Sequence, residues 1–161
     1  HHVVAFLDPE EFKSTWLGNK AIYRTRLAIA DGGRLTVLGP AVEEFGEDRE
    51  IDRLIRKYGY RTKSEILQLV EENEDLAANP SAAAHLVHGS HENRFEVVYA
   101  AGALTAEEIR SVNYSPGNLE ELMSRYDIAK LNDGWHRDED GSEFYFIRNP
   151  ALGLWQAPQA A

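Results

Sequence analysis

The stretch that decides the fold is VVAFLDPEE, residues 3–11. Its first five residues form a continuous apolar run, which is typical of a strand buried on both faces. In the four residues that follow, the aspartate suits an N-cap, the proline suits the first helical position and the last glutamate closes a capping box. We therefore expect a strand followed by a helix that runs to about Ala30, where Asp31-Gly32-Gly33 stops it.

The same alternation of buried strands and amphipathic helices continues along the chain. Apolar runs at 35–38, 95–99 and 144–147 predict three more strands, with helices between them. Strands that alternate with helices form mostly parallel sheets. We predict a single α/β domain over residues 1–155, Rossmann-like and three-layered, with four to five strands, helices on both faces and a frayed tail at 156–161.

The helices between these strands carry specific start signals. Thr62 with Glu65, and Thr105 with Glu108, have the spacing of capping boxes. A further helix begins at Asn79-Pro80. Apolar residues at helical spacing within 51–58 and 119–126 predict two more helices.

Composition and charge exclude several classes of partner. The 161 residues are 43% hydrophobic and 27% charged, enough for a core of ordinary size. The net charge of −10 argues against nucleic acid or an anionic membrane, because such partners need a basic face. The chain contains no cysteine, which excludes thiol chemistry and fits a reducing compartment, so we predict a cytoplasmic location. The single methionine, Met123, suggests a piece of a longer polypeptide.

Signatures of phosphate-binding loops and serine hydrolases are not met. Asp31-Gly32-Gly33 follows a predicted helix rather than a strand, and Pro40 removes a backbone donor from the turn after the second strand. No serine stands in a G-x-S-x-G elbow.

Three histidines have the spacing of possible metal ligands. His85, His88 and His91 recur every third residue and could share a helix face. Gly89, however, is expected to end the helix before the third histidine. We interpret them as a polar helix end and predict no metal site.

A cationic stripe on the first helix is the more informative pattern. Lys13, Leu17, Lys20 and Arg24 fall at i, i+4, i+7 and i+11, which places three cations on one face of an acidic chain. The stripe either recognises a small carboxylate or phosphate, or is a solvated face that pairs with nearby acids. Gly18 costs about 1 kcal/mol in a helix interior, so its place there suggests close approach of another backbone or a ligand.

The segment STWLGNKAIYRTR, residues 14–26, followed by AIADGG at 28–33 and FGED at 45–48, resembles the C-terminal domain of the nickel-dependent lactate racemase family. Residues 91–99, 104–108 and 149–153 are similar to later segments of that domain. The resemblance covers most of the chain, and its first motif is the most specific.

The resemblance implies a two-domain isomerase that interconverts the stereoisomers of 2-hydroxy acids with a nickel-pincer nucleotide. In that family the N-terminal domain holds the cofactor and the catalytic bases. This chain would then be the substrate-closing C-terminal domain, inactive alone, with no catalytic residue, metal or cofactor of its own. Its partners would be the N-terminal domain of the same polypeptide and a small 2-hydroxy acid.

Five residues of the first motif are the predicted substrate-binding residues. Lys20 matches a substrate-facing lysine of the family, whereas Leu17 replaces a glutamine, which suggests a hydroxy acid other than lactate. Lys20, with Arg24 one turn away, could anchor the carboxylate while the carbon centre presents either face to the cofactor. Trp16 either forms a wall of the pocket or packs in the core. Asn19 either binds a hydroxyl group or lies at the domain interface.

Two other functions remain open on the sequence. The chain could be a stand-alone module of flavodoxin-like shape that binds a small anion through Lys13, Lys20 and Arg24. It could also be a structural or oligomerising domain, for which we expect a large exposed apolar patch.

Overall fold

A mostly parallel sheet organises the part of the chain that the computed structural model describes, residues 1–158. Within those residues the sheet has six strands in the order β4-β3-β2-β1-β6-β5, and only β5 and β6 pair antiparallel. The strands are β1 (His2–Phe6), β2 (Arg34–Gly39), β3 (Glu96–Ala101), β4 (Ser115–Pro116), β5 (Gly134–Arg137) and β6 (Glu143–Ile147). The predicted α/β class is confirmed, with six strands rather than four to five.

Strand β1 is the centre of the sheet, which explains its continuous apolar sequence. Val4 pairs with Thr36 of β2 on one side and with Phe146 of β6 on the other. Because alternate residues point to opposite faces, Val3 and Ala5 enter one core cluster and Val4 enters the other. Both faces are buried, so no polar residue interrupts the run.

Helices cover both faces of this sheet. The helices of residues 1–158 are α1 (Thr15–Gly18), α2 (Lys20–Tyr23), α3 (Arg49–Tyr58), α4 (Lys63–Glu72), α5 (Glu74–Ala77), α6 (Pro80–His88), α7 (Ala106–Ser111) and α8 (Leu119–Arg125), with a 3₁₀ turn at Pro150–Leu152. Helix α8 packs on the face of Val4, and residues from α2 to α7 enter the opposite core cluster. Both predicted capping boxes form, at the starts of α4 and α7. Asn79 caps α6 as expected.

The two strands that the sequence did not indicate are short and lie at the edges of the sheet. β4 has two residues, one of which is Pro116. β5 alternates between half-buried and exposed positions and includes the exposed Trp135. Neither forms an apolar run, because an edge strand is covered on fewer sides than a central one.

The long helix predicted from Asp8 to Ala30 does not form. Asp8 caps only a turn, with its carboxylate accepting from the backbone of Glu10 at 2.8 Å. Thr15 and Trp16 donate their backbone N–H groups to the carbonyls of Glu44 and Phe45, at 3.1 and 2.9 Å. These backbone donors therefore serve tertiary contacts with the loop after β2 instead of extending a helix.

Gly18 and Asn19 separate the two short helices that replace it. A Cβ at Gly18 would lie 2.7 Å from the Tyr99 hydroxyl, so only glycine lets α1 approach the sheet this closely. The predicted stripe is consequently wrong: Lys13 lies in the turn before α1, and Lys20 lies on a different helix from Leu17.

Three stacked tyrosines fill the core beneath α1. The rings of Tyr60 and Tyr114 lie 4.5 Å apart and those of Tyr114 and Tyr99 lie 5.8 Å apart, each pair within 5° of parallel. Burial raises the pKa of each of the three hydroxyls. Tyr114 donates to the carbonyl of Gly89 at 2.7 Å. The Tyr60 hydroxyl contacts His85 Nε2 at 2.8 Å.

His85 is consequently a buried histidine, 6% exposed, rather than part of a polar helix end. Burial lowers the pKa of His85 to about 3, and the charge of the neighbouring His88 adds to the shift. The imidazole is therefore neutral over the physiological range.

The segment after the 3₁₀ turn is paired with the first crossover. Trp155 donates its backbone N–H to the carbonyl of Arg24 at 2.9 Å, and Ala157 donates to that of Leu27 at 3.1 Å. The expected fraying from residue 156 is thus not seen at 156 and 157, and residues 159–161 lie outside the described residues. No helix within residues 1–158 has the length and apolar character needed to cross a membrane.

A methyl group at Gly46 is expected to destabilise the fold. The Cβ of Gly46→Ala would lie 2.2 Å from the backbone nitrogen of Asp52 and 2.6 Å from its Cα, so the backbone in the first turn of α3 would have to shift. We expect a loss of about 2 kcal/mol in the free energy of unfolding, measured by urea denaturation. Glu47→Ala, at the adjacent exposed position, should change it by less than about 0.5 kcal/mol. Equal stabilities of the two variants would contradict this packing.

Acid is expected to destabilise the protein partly through His85. The folded-state pKa of about 3 lies below the ordinary value of 6.5, so between these values the unfolded chain binds one more proton than the folded chain. The contribution of His85 to the free energy of unfolding is therefore complete above about pH 6.5. It decreases by about 1.4 kcal/mol per pH unit as the pH drops from there towards 3. In His85→Gln we expect a pH slope smaller by about one proton in urea titrations. If His85→Gln had the same dependence of unfolding free energy on pH as the wild type, His85 would not be a neutral buried group.

Candidate functional site

A groove between the α1–α2 pair and α6 contains three of the five predicted substrate-binding residues. Its volume is about 380 Å³. Its lining residues come from these helices alone: Trp16, Leu17, Lys20, Tyr23, Ser81, Ala84, His85 and His88. The α6 residues share one helix face, because they fall at i, i+3, i+4 and i+7. The groove is thus built by two elements that the sheet holds side by side.

Two ring pairs bridge the groove from the α1–α2 pair to α6. Trp16 stacks on His85, with ring centres 4.8 Å apart and planes 29° apart. Tyr23 contacts His88, with ring centres 5.1 Å apart and planes tilted by 41°. Contacts of this kind add to the burial energy of the rings and hold the two elements together.

Lys20 gives the groove its charge. Within residues 1–158 no acidic residue lines the groove, although the chain as a whole has a net charge of −10. Among residues 1–158, Lys20 forms no ion pair with a carboxylate. Its ammonium lies over the Phe12 ring, 6.0 Å from the centroid. Leu17 beside it is 40% exposed. A lysine without an acidic partner next to apolar side chains suits a small organic anion.

The other two predicted residues do not line the groove. Asn19 is 1% exposed and donates to the Tyr114 hydroxyl at 3.3 Å, so it faces the interior. Arg24 donates to the carbonyl of Gly153 at 3.2 Å and stabilises the C-terminal segment. The sequence did not distinguish Asn19 and Arg24 from the groove residues, because the prediction assumed one continuous helix that the chain does not form.

Five groove residues are not among the predicted substrate-binding residues: Tyr23, Ser81, Ala84, His88 and His85. The sequence indicated His85 only as part of a polar helix end. Its i, i+3 and i+4 neighbours on α6 include no acid, and its burial depends on Tyr60 and Trp16, which are distant in the sequence. A pattern along α6 alone therefore could not distinguish it from a surface histidine.

The three histidines do not meet at one point. His91 lies after α6, where its ring contacts Phe95 and its Nδ1 is buried without a hydrogen-bond partner. Burial lowers the pKa of His91. Over residues 1–158, no three histidine, aspartate or glutamate side chains are grouped so that they could hold a metal ion.

A second surface feature is an exposed apolar area, here called the apolar surface and defined by Leu27 and Trp135, which line one cavity. Leu152 and Leu154 are also exposed. Trp135 is 68% exposed and packs edge-on against Tyr145. A cavity of about 610 Å³ opens here, lined by Leu27 and Trp135 among others. Exposed apolar residues grouped in this way are typical of a surface that contacts another protein element.

Comparisons with known proteins relate this fold to longer molecules. No protein-family model and no curated protein sequence matches the chain. The crystal structure of a Thermotoga maritima structural-genomics target is similar with a TM-score of 0.63, at 23% identity over 75% of this chain and 31% of that chain. The lactate racemase apoprotein from Thermoanaerobacterium thermosaccharolyticum is similar with a TM-score of 0.60, at 10% identity over 98% of this chain and 35% of that chain.

The chain thus spans about a third of the length of each of these two structures. At such low identity the likeness shows the fold alone. The fold of this chain is lactate racemase-like, as the sequence resemblance predicted.

Proposed function

We propose that this chain is the substrate-closing C-terminal domain of a nickel-pincer-nucleotide-dependent racemase or epimerase of 2-hydroxy acids. The observation that carries the proposal is the structural likeness to lactate racemase apoprotein, which extends over 98% of this chain but only 35% of that molecule. A chain that corresponds to about a third of a longer enzyme is expected to contribute one part of its site. The remaining part, with the catalytic bases, belongs in this proposal to an N-terminal domain of the same polypeptide.

The donor groups of this chain do not fit a nickel centre of their own. The sequence has no cysteine, and residues 1–158 contain no cluster of three metal-binding side chains. His85 and His88 line the groove, but among residues 1–158 no third metal-binding side chain is grouped with them. In the proposal the cofactor is therefore held by the N-terminal domain, and this chain binds and encloses the substrate.

The groove can perform that task with three residues. The Lys20 ammonium binds the substrate carboxylate, which is the one charged group that every 2-hydroxy acid shares. Holding the carboxylate fixed lets the α-carbon present either face to the opposite domain, as racemisation requires. Trp16 and Leu17 supply apolar walls that exclude water when the domains close. Leu17, at the position of a glutamine in the related racemases, supports a hydroxy acid other than lactate.

The apolar surface supports a permanent neighbour. Leu27 and Trp135 leave hydrocarbon in contact with water around one cavity, which an adjoining protein domain would cover. We assign this surface to the N-terminal domain of the same polypeptide. The stand-alone anion-binding module is less well supported, because Lys13 and Arg24 do not line the groove with Lys20.

Lys20→Ala in the two-domain enzyme is expected to raise the KM for the 2-hydroxy acid at least tenfold. The variant loses a charge-assisted hydrogen bond to the carboxylate, worth about 1.5–3 kcal/mol. Lys13→Ala removes the same charge from the exposed turn before α1 and is the matched control, with KM within about twofold of wild type. Racemisation followed by chiral chromatography measures both. Normal kinetics in Lys20→Ala would refute the anchoring role.

The chain alone is expected to show no racemisation. Activity should appear when it is mixed with a separately produced N-terminal domain loaded with the nickel-pincer nucleotide. Chiral chromatography of each component and of the mixture measures this. The proposed roles of the two domains would be contradicted if the chain alone racemised the substrate. They would also be contradicted if the mixture were inactive while the intact two-domain enzyme was active.

A further inference from the structure

The groove contains two pairs of contacting rings. The first ring pair consists of Trp16 and His85, with ring centres 4.8 Å apart. The second ring pair consists of Tyr23 and His88, with ring centres 5.1 Å apart. Along the chain, Lys20 lies between Trp16 and Tyr23, and all three line the groove. The groove therefore has a ring pair on each side of its lysine in the sequence.

Both ring pairs are accessible from the groove. Trp16 and Tyr23 are half-buried and His88 is exposed, so the core does not enclose these rings. The fourth ring, that of His85, is buried and neutral, because burial lowers its pKa to about 3. Leu17 adds an apolar side chain that is 40% exposed. Ring and hydrocarbon surface beside a lysine suits an anion that carries an apolar side chain.

Racemisation requires room for the substrate side chain in two positions. The α-carbon of a 2-hydroxy acid carries the carboxylate, a hydrogen, the hydroxyl and the side chain. In the proposed function the carboxylate stays on Lys20, and the reacting C–H bond points to the opposite domain in both enantiomers. Mirror-image molecules that share these two directions differ by the exchange of the hydroxyl and the side chain. The side chain must therefore lie on one side of the carboxylate in one enantiomer and on the other side in its mirror image.

We propose that this groove takes 2-hydroxy acids with a bulky apolar side chain, above all an aromatic ring, and that the two ring pairs receive this side chain in the two enantiomers. The inference rests on the proposed function and specifies its substrate class. With the carboxylate on Lys20, the side chain of one enantiomer packs on the first ring pair, and that of the other enantiomer packs on the second. These contacts are apolar and hold neither the hydroxyl nor the α-carbon, so the α-carbon remains free to turn. No bond is made or broken by the ring pairs.

The size of the side chain determines how much this contact contributes. The free energy of apolar contact grows with the area removed from water. A methyl side chain, as in lactate, covers little of either ring pair, whereas a phenyl group covers more and can also stack on a ring. The groove, with a volume of about 380 Å³, should therefore rank 2-hydroxy acids by the apolar area of their side chains.

Titration of the chain with three 2-hydroxy acids, followed by NMR chemical shifts, tests this ranking. We expect 3-phenyllactate to bind at least about tenfold more tightly than lactate, with 2-hydroxy-4-methylpentanoate between them. Lactate bound as tightly as 3-phenyllactate would overturn the inference. Lys20→Ala should weaken all three acids by equal factors. If it weakens none of them, the carboxylate anchor of the proposed function fails, while the order of the three acids still decides the inference.

The two enantiomers of 3-phenyllactate supply the second readout, as KM values for both directions of racemisation by the two-domain enzyme. Trp16→Leu and Tyr23→Leu each remove one ring. We expect each variant to raise the KM for one enantiomer about three- to tenfold over the other, and the two variants to affect opposite enantiomers. Because enantiomers have equal free energy, kcat/KM stays equal in the two directions and kcat changes with KM. If both variants shift the ratio of the two KM values in the same direction, or if neither shifts it, the inference is refuted.

An enzyme that racemises lactate but not 3-phenyllactate would keep the proposed function and contradict the inference. An enzyme that racemises no 2-hydroxy acid would refute the proposed function, and the titration would still decide whether the groove prefers a ring.

Lactate in the same variants is the matched control, and the ratio of its two KM values should stay unchanged. Leu67→Ala, at a 50% exposed position of α4 that does not line the groove, should leave the ratio for 3-phenyllactate unchanged as well. If Trp16→Leu or Tyr23→Leu does not fold, Trp16→Phe and His88→Ala replace them, because the first keeps a ring and the second changes an exposed residue. These two variants should shift the ratio for 3-phenyllactate in opposite directions, and shifts in one direction would overturn the inference.

Discussion

Two backbone hydrogen bonds, from Thr15 and Trp16 to the carbonyls of Glu44 and Phe45, determine the course of the first crossover. They interrupt the helix that the local sequence favours and bring α1 against the sheet, where Gly18 alone leaves room for the Tyr99 hydroxyl. The loop that supplies the carbonyls is itself held by Asp52, whose carboxylate accepts from two of its backbone N–H groups. Each groove residue on α1 and α2 takes its position from this pairing.

The buried polar groups near α1 connect this geometry to the groove. Thr15 contacts both Phe45 and Tyr60, and Tyr60 contacts His85 beneath Trp16. A chain of hydrogen bonds in a medium of low polarity strengthens each of its members and penalises any break. The position of the imidazole in the groove is therefore set by residues from three other segments of the chain, which meet it only after folding.

The central strands, the helix caps and the α/β class could be predicted from the sequence because their signals are local. The apolar run of β1 reflects burial on both faces, and the capping boxes of α4 and α7 lie within four residues each. The break at Gly18 and the burial of His85 depend on residues at least 25 positions away, so local periodicity could not reveal them. The groove was predicted in part: Lys20, Trp16 and Leu17 line it, whereas Asn19 and Arg24 do not.

The tyrosine stack has a mechanical consequence for the groove. Tyr99 belongs to β3, Tyr114 lies just before β4, and Tyr60 lies between α3 and α4, so the three parallel rings connect the sheet to the layer that carries the groove. Close-packed rings resist sliding, because any displacement opens voids that no water can fill. The helices of the groove and the sheet should therefore move as one rigid body. The groove should then keep its shape when this packed unit moves as a whole.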